Sequence, residues 1–207
     1  MEPKERIAAK AEELFMQYGI RSVSMDDIAQ QLGMSKKTLY QYYADKDELV
    51  NSMIDRHITE MQSDCALCRV HAVNAIHEIF ITMERLMKDL VNINPMVLYD
   101  LEKFHYSAFQ RFREHKDKFL FQVVKDNIEW GIREELYRED IQIDVMAKYR
   151  IESIMVPFNV SAFPPGKYNL AEVSQLILEN FTYGLATIKG HQLIQQYKEQ
   201  RNKTALV

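Results

Sequence analysis

The segment formed by residues 33–49 concentrates side chains that can donate hydrogen bonds to a polyanion. Lys36 and Lys37 carry the only charges between residues 28 and 44, and three tyrosines and a glutamine follow at once. In the DNA major groove lysine can donate to guanine and glutamine can pair with adenine, while tyrosine hydroxyls can donate to phosphates. The segment therefore has the composition of a nucleic-acid contact surface.

Three short helices are predicted to position this segment. The first ends at Gly19, as glycine at the C′ position commonly does. Ser24, with Asp27 three residues later, is predicted to cap the second, and Ser35 to cap a third over 36–43. The glycine-containing link at residues 33–35 is typical of a helix-turn-helix. The apolar face of the first helix consists of Ile7, Ala11, Leu14, Phe15 and Tyr18, at helical spacing.

The helical period divides the third helix into two faces. Leu39 and Tyr43 fall on one face and are predicted to pack inward, whereas the outward face carries Lys37, Thr38 and Gln41. Lys36 lies in the first turn, and Tyr40 and Tyr42 flank the outward face. Lys46 begins a fourth helix, capped by Asp45 with Glu48 in the reciprocal position, where free backbone N–H groups favour a phosphate. This arrangement suits a helix that enters the major groove.

The residues that carry this pattern are AAKAEELFMQYGIRSVSMDDIAQQLGMSKKTLYQYYADKDEL. This stretch resembles the DNA-binding domain of the TetR family of transcriptional repressors. The resemblance implies phosphate contacts from Thr38, Tyr40, Tyr42 and Lys46, and base contacts from the variable positions Lys36, Lys37 and Gln41. With the two capping serines, the predicted DNA contacts are Ser24, Ser35, Lys36, Lys37, Thr38, Tyr40, Gln41, Tyr42 and Lys46.

The rest of the chain is predicted to be helical as well. Glycine and proline are scarce, at 6 and 5 of 207 residues, and helical patterning recurs throughout, so we expect an all-α fold. We predict a helix-turn-helix domain at residues 1–47 and a larger effector-binding and dimerisation domain at 48–207. The helices near 144–158 and 171–188 are predicted to form a two-fold homodimer interface, which the resemblance favours; alternatively both are intramolecular core helices.

An aromatic cluster in the C-terminal part suggests an apolar effector pocket. For each aromatic residue singly, ordinary core packing is the better explanation, but the cluster as a whole makes an apolar or aromatic effector plausible. The predicted effector contacts are Phe104, His105, Tyr106, Phe109, Trp130 and Asn159.

Several other classes of function are disfavoured by the sequence. The chain has no GxSxG, Walker or GxGxxG motif, so we expect neither catalysis nor a cofactor. Cys65 and Cys68, followed by two histidines, have metal-like spacing, but no second CxxC exists and buried cysteine is common, so we expect no metal site. No apolar run approaches the length of a membrane span, and the N-terminus lacks the apolar core of a signal peptide, which predicts a cytoplasmic protein.

Composition adds one condition to the nucleic-acid prediction. The formal net charge is −4, so the positive face must be local. The resemblance to the TetR family implies a homodimeric repressor that binds a palindromic operator and is released by a small effector. The alternatives are a helical regulator controlled by a protein partner and an interaction module without DNA binding.

Overall fold

The structure, a computed structural model, describes residues 2–204 and is built from helices. This confirms the predicted all-α class. A π-helical turn at Lys116–Leu120 joins α7 to α8, and a short 3-10 turn at Val156–Phe158 follows α9. The helices are α1 (Pro3–Tyr18), α2 (Met25–Gln31), α3 (Lys36–Tyr40), α4 (Lys46–His71), α5 (Ala75–Leu90), α6 (Met96–Phe104), α7 (Tyr106–His115), α8 (Phe121–Arg133), α9 (Ile143–Ser153), α10 (Leu170–Leu185) and α11 (Ile188–Thr204).

The ends of α2 and the start of α3 are fixed by local hydrogen bonds. The Asp27 N–H donates to Ser24 Oγ at 3.2 Å and the Ser24 N–H donates to Asp27 Oδ2 at 2.7 Å, which is the predicted capping box. At the other end Gly33 has φ +65°, and the Met34 N–H donates to the carbonyl of residue 29 at 3.0 Å, closing a Schellman motif. The Thr38 N–H donates to Ser35 Oγ at 3.0 Å, as predicted for the cap of α3.

The third helix is shorter than predicted. Its α-helical part ends at Tyr40, and the next two N–H groups donate to carbonyls only three residues back, Gln41 to Thr38 at 3.2 Å and Tyr42 to Leu39 at 3.0 Å. The chain thus tightens into a turn before Asp45 caps α4.

The N-terminal helices share one apolar core with helices from later in the chain. Ile7, Phe15, Ile28 and Leu39 are fully buried in it, and residues of α4, α6 and α7 complete the same cluster. The prediction for Tyr18 was wrong, because this side chain is 53% exposed at the last turn of α1. The members from the later helices are Leu49, Val50, Met53, Ile54, Val97, Leu101, Ala108 and Phe109.

A second core joins α5, α8, α9, α10 and α11. Tyr137, 1% exposed, fills its centre, and its hydroxyl donates to Asn127 Oδ1 at 3.2 Å. Gly131 has no side chain because a Cβ there would overlap the Tyr137 ring, and a Cβ on Gly190 would overlap the Leu136 carbonyl oxygen. α11 is a 17-residue helix that contains Gly190.

A capping side chain marks the boundary between α4 and α5. α4 continues to His71, and α5 starts at Ala75, where the side chain of Asn74 accepts from the His77 N–H at 2.8 Å. The helix predicted near 144–158 ends at Ser153. Among the helices of residues 2–204, none is both long and apolar enough to cross a bilayer.

Candidate nucleic-acid interface

The outward face of α3 is exposed as the helical period predicts. Lys36, Lys37 and Gln41 lie at the surface, and Tyr40 is 40% exposed. The inward face is confirmed as well: Leu39 is fully buried and Tyr43 is 2% exposed. The inward packing of these two residues holds the outward face in position.

The flanking hydroxyl groups are partly engaged within the motif. Thr38 Oγ1 lies 2.8 Å from Ser35 Oγ, and the Ser24 hydroxyl donates to Asp27 Oδ2 at 2.6 Å. Tyr42 is half-buried and packs against the N-terminal core. Hydrogen bonds or packing with neighbouring residues therefore hold these side chains in place. The serine and threonine oxygens keep free lone pairs near the surface, and Tyr42 keeps its hydroxyl there.

Lys36 is paired with an aspartate of α2. Its Nζ lies 2.8 Å from Asp26 Oδ1, and both side chains are more than half exposed. The hydrogen bond from Lys36 and the charge of Asp26 raise the pKa of the lysine. An exposed pair of this kind is weakly held, so the ammonium can exchange Asp26 for a phosphate or a base.

Lys46 points inward, in contrast to Lys36. Its Nζ donates to the carbonyl oxygen of Ile20 at 2.5 Å and lies 5.5 Å from the centroid of the Phe15 ring. Burial lowers the pKa of this ammonium, an effect opposed by the charge of Asp100. In this structure Lys46 ties the start of α4 to the loop after α1, and its predicted phosphate contact stays a prediction.

Two cations that sequence reasoning missed lie beside α3. The Lys4 ammonium is 5.2 Å from the centroid of the Tyr43 ring, and the Tyr43 hydroxyl donates to the Lys4 carbonyl oxygen at 3.4 Å. The Arg6 guanidinium donates to the Leu32 carbonyl oxygen at 3.2 Å. The first turn of α1 therefore places positive charge next to Tyr43 and the end of α2. Basic residues near the N-terminus were visible in the sequence, but their closeness to α3 was not.

Three hydrogen bonds connect the α6 region to the N-terminal helices. Asp100, 4% exposed, accepts from the Arg21 N–H at 2.8 Å, and the Asn94 N–H donates to the Met16 carbonyl oxygen at 2.6 Å. At the end of α6, His105 Nδ1 lies 2.5 Å from Asp47 Oδ1. The orientation of the helix-turn-helix is thus linked to the position of α6.

The structure does not bring the six predicted effector contacts together. Phe104 and Tyr106 are 45% and 66% exposed, and Phe109 belongs to the N-terminal core. His105 is bonded to Asp47. Asn159 accepts from the N–H groups of the loop that follows it, and the Trp130 ring lies 3.6 Å from the Arg69 guanidinium carbon. Aromatic content in the sequence did not reveal which helices would face one another.

A different set of residues forms an apolar cavity of about 160 Å³ in the C-terminal part. Its walls come from α1, α4, α5, α6, α7, α9 and α10, and none of the six predicted effector contacts is among its lining residues. The apolar lining includes Ile54, Leu86, Leu90, Val97, Leu98, Leu101, Phe112 and Ile177.

The cysteines and the acidic groups give no better site. Burial raises the pKa of Cys65 to about 11 and also raises that of Cys68, so both thiols are protonated near neutral pH. Glu12, His57 and Glu60 lie close enough to share an ion, but Arg56 lies against both carboxylates. The cationic position in this cluster is already occupied by that guanidinium.

The comparisons with known proteins agree with this geometry. The family model described as "Bacterial regulatory proteins, tetR family" matches residues 7–53. An uncharacterized HTH-type transcriptional regulator of Bacillus subtilis, YvaF, is 34% identical over 106 residues, which is 51% of this chain and 55% of that protein. The activator FasR of Mycolicibacterium smegmatis is 34% identical over 62 residues, or 30% of this chain and 28% of that one.

Similarity of fold extends much further along the chain. A TetR-family transcriptional regulator from Marinobacter aquaeolei has a TM-score of 0.75 at 14% identity, and the alignment covers 96% of this chain and 98% of that one. The chain spans about half, or less, of the length of the curated relatives named above, while its fold matches nearly the whole of that solved chain. The matching proteins are transcription regulators, not enzymes.

Proposed function

We propose that this chain, which belongs to the TetR family of bacterial regulatory proteins, is a cytoplasmic DNA-binding transcriptional repressor released by a small effector. The observation that carries the proposal is the capped helix-turn-helix whose outward face exposes Lys36, Lys37 and Gln41. On this proposal these three side chains reach base edges, and Ser24, Ser35, Thr38, Tyr40, Tyr42 and Lys46 lie along the phosphates.

The proposed operator is palindromic because the proposed active species is a homodimer. Two-fold related recognition helices fit half-sites about 34–36 Å apart, or somewhat more. The proposed interface uses the ranges 144–158 and 171–188. It is supported by exposed apolar side chains on α9 and α10, with Val145 58%, Tyr149 53% and Leu176 64% exposed.

The proposed release mechanism runs through α6. Val97, Leu98 and Leu101 line the 160 Å³ cavity, while Asp100 on the same helix holds the Arg21 N–H. A ligand that prefers a displaced α6 favours a dimer whose recognition helices are out of register with the operator. The free energy by which the ligand shifts the equilibrium equals the difference between its binding free energies for the two states. The division into domains at 1–47 and 48–207 belongs to the same proposal.

The direction of regulation is tested with a reporter gene under the chain's own upstream region. A repressor lowers reporter output when it is expressed, and an effector restores it. The relative FasR is named an activator, so the opposite outcome is the specific competing result.

DNA binding is tested by a band-shift assay with the same upstream DNA. Lys37→Ala and Gln41→Ala should change the preferred sequence, at about 1–3 kcal/mol per lost base contact. Tyr40→Phe should weaken binding to all sequences by about 0.5–1.5 kcal/mol. Lys118→Ala, in the distant π-helical turn, is the control and should bind as the wild type does.

The assay also separates the proposal from the alternatives. An interaction module without DNA binding gives no sequence-specific shift at any salt concentration, and that result would falsify the proposal. A regulator controlled by a protein partner gives the shift but responds to no small molecule. An unchanged sequence preference for Gln41→Ala contradicts the assignment of the base-reading face.

A further inference from the structure

An arginine of α9 lies against the apolar cavity with no acidic partner. The Arg150 side chain lines the cavity and donates from Nη1 to Ser153 Oγ at 3.0 Å. Among residues 2–201, whose side chains the structure describes, no carboxylate oxygen lies within 4.0 Å of its guanidinium, and the side chain is only partly exposed. Burial lowers the pKa of Arg150 to about 10, so it remains a cation near neutral pH.

Two buried charges elsewhere in this protein have partners of opposite charge. Lys116, 4% exposed, lies 2.7 Å from Asp117 and 3.1 Å from Glu152. Glu179, 9% exposed, pairs with Lys198 at 2.8 Å and with Arg201 at 3.2 Å. Removing a charge from water is costly unless it is paired, so an anion in the cavity would stabilise the guanidinium of Arg150 in the same way.

The acidic residue of the cavity wall does not serve as this counterion. Asp89 lines the cavity and is exposed to solvent. Asp64, His57, Arg85 and Glu60 are the charges that act on its carboxyl group, and Arg150 is not among them. Ser174, also in the lining, already donates to the Leu170 carbonyl oxygen at 2.8 Å. Arg150 thus offers its remaining N–H donors to whatever occupies the cavity.

The size of the cavity limits that occupant. An engineered apolar cavity of about 150 Å³ in another protein holds benzene, and the cavity here is about 160 Å³ with walls of leucine, isoleucine and phenylalanine. An occupant of this size with one anionic end can fill the apolar space and pair with the guanidinium. Arginine binds carboxylates well because its two parallel N–H groups match the two oxygens.

We infer that this cavity binds a small monocarboxylate with an apolar body of about six carbons, with its carboxylate on Arg150 and its body among Leu86, Leu90 and Leu98. This inference rests on the proposed function, since it names the chemical class of the effector.

Isothermal titration of the full-length protein with two matched pairs of probes tests the inference. Benzoate is compared with benzamide, and hexanoate with hexanamide, so that each pair differs mainly in charge. At least one carboxylate should bind about 10- to 100-fold more tightly than its amide, which is the strength of a hydrogen bond to a charged group. In Arg150→Met this preference should disappear while affinity for the amide remains. Arg111→Met, an exposed arginine on α7, should retain it.

Each outcome decides the inference. Equal affinity for carboxylate and amide, absence of binding by all four probes, or a wild-type preference in Arg150→Met overturns it. If Arg150→Met does not fold by circular dichroism, the wild-type preference and a weakened preference in Arg150→Lys carry the test. If the protein shifts DNA but binds no carboxylate, the inference is wrong and the proposed function stands. If it binds a carboxylate but shifts no DNA, the proposed function is wrong and the carboxylate site stands.

Discussion

Replacing Asp100 by alanine should destabilise the protein through one identifiable contact. Asp100 is 4% exposed on α6, and its Oδ2 accepts from the Arg21 N–H at 2.8 Å. Burial lowers the pKa of the Lys46 ammonium, and the negative charge of Asp100 acts in the opposite direction. The substitution removes a charged acceptor and leaves a partly buried N–H group without a partner.

The magnitude follows from the type of bond. A hydrogen bond to a charged group contributes about 1.5–3 kcal/mol to stability, and a neutral one about 0.5–1.5 kcal/mol. Asp100→Ala should therefore lower the free energy of unfolding by about 1.5–3 kcal/mol, and Asp100→Asn by less, because its amide oxygen can still accept from Arg21.

Urea denaturation followed by circular dichroism measures both substitutions. Protein concentration is held fixed, because the stability of a dimer depends on it. The matched control is Glu102→Ala, an exposed carboxylate on the same helix, which should unfold at the wild-type urea concentration. If Asp100→Ala and Glu102→Ala share one midpoint, the contact between α6 and the loop after α1 does not contribute to folding, and the proposed coupling loses its physical basis.

Four further substitutions test other parts of the structure. Gly131→Ala should cost about 1–3 kcal/mol of unfolding free energy in urea denaturation, because its Cβ overlaps the Tyr137 ring; wild-type stability would show that Tyr137 moves freely. Gly33→Ala should cost about 1–2 kcal/mol by the same measurement, from backbone strain at φ +65° and not from a clash, since nothing lies within 4 Å of its Cβ position. Lys4→Ala should reduce the slope of log affinity against log salt in band shifts by about 1 if its ammonium contacts a phosphate, and an unchanged slope removes α1 from the interface. Leu176→Glu should convert dimer to monomer in sedimentation, whereas Val70→Glu, at a 78% exposed position on α4, should not; a dimeric Leu176→Glu protein places the interface elsewhere.

Local features were predictable from sequence because their causes are local. The capping box at Ser24, the cap at Ser35 and the glycine turn at Gly33 depend on hydrogen bonds and backbone angles within a few residues. The inward packing of Leu39 and Tyr43 followed from the helical period alone. These features together position the outward face of α3, so the proposed DNA-reading residues could be named before the fold was known.

Features that depend on distant residues were not predictable in this way. The direction of Lys46 is set by a carbonyl group 26 residues earlier in the chain. The cavity takes side chains from seven helices between residues 16 and 177, and aromatic content pointed instead to exposed or separately packed residues such as Tyr106 and Phe109. A single sequence records no pairing between such distant positions, and a helical period does not state which helix an apolar face meets.

The position of α6 sets a quantitative requirement on any effector. Val97, Leu98 and Leu101 of this nine-residue helix line the cavity, and Asp100 contacts the loop after α1. A ligand in the cavity can therefore act on the helix-turn-helix only if it binds with different affinity to the two positions of α6. Shifting a two-state equilibrium from 1:99 to 99:1 takes a difference of about 5.5 kcal/mol. A carboxylate on Arg150 contributes about 1.5–3 kcal/mol at most, even if the bond forms in one state alone. The remainder must come from apolar contacts with α6, each buried methylene being worth about 0.8 kcal/mol. On the proposed mechanism, a ligand that pairs with Arg150 without reaching Leu98 or Leu101 should therefore bind and still leave the protein on the operator.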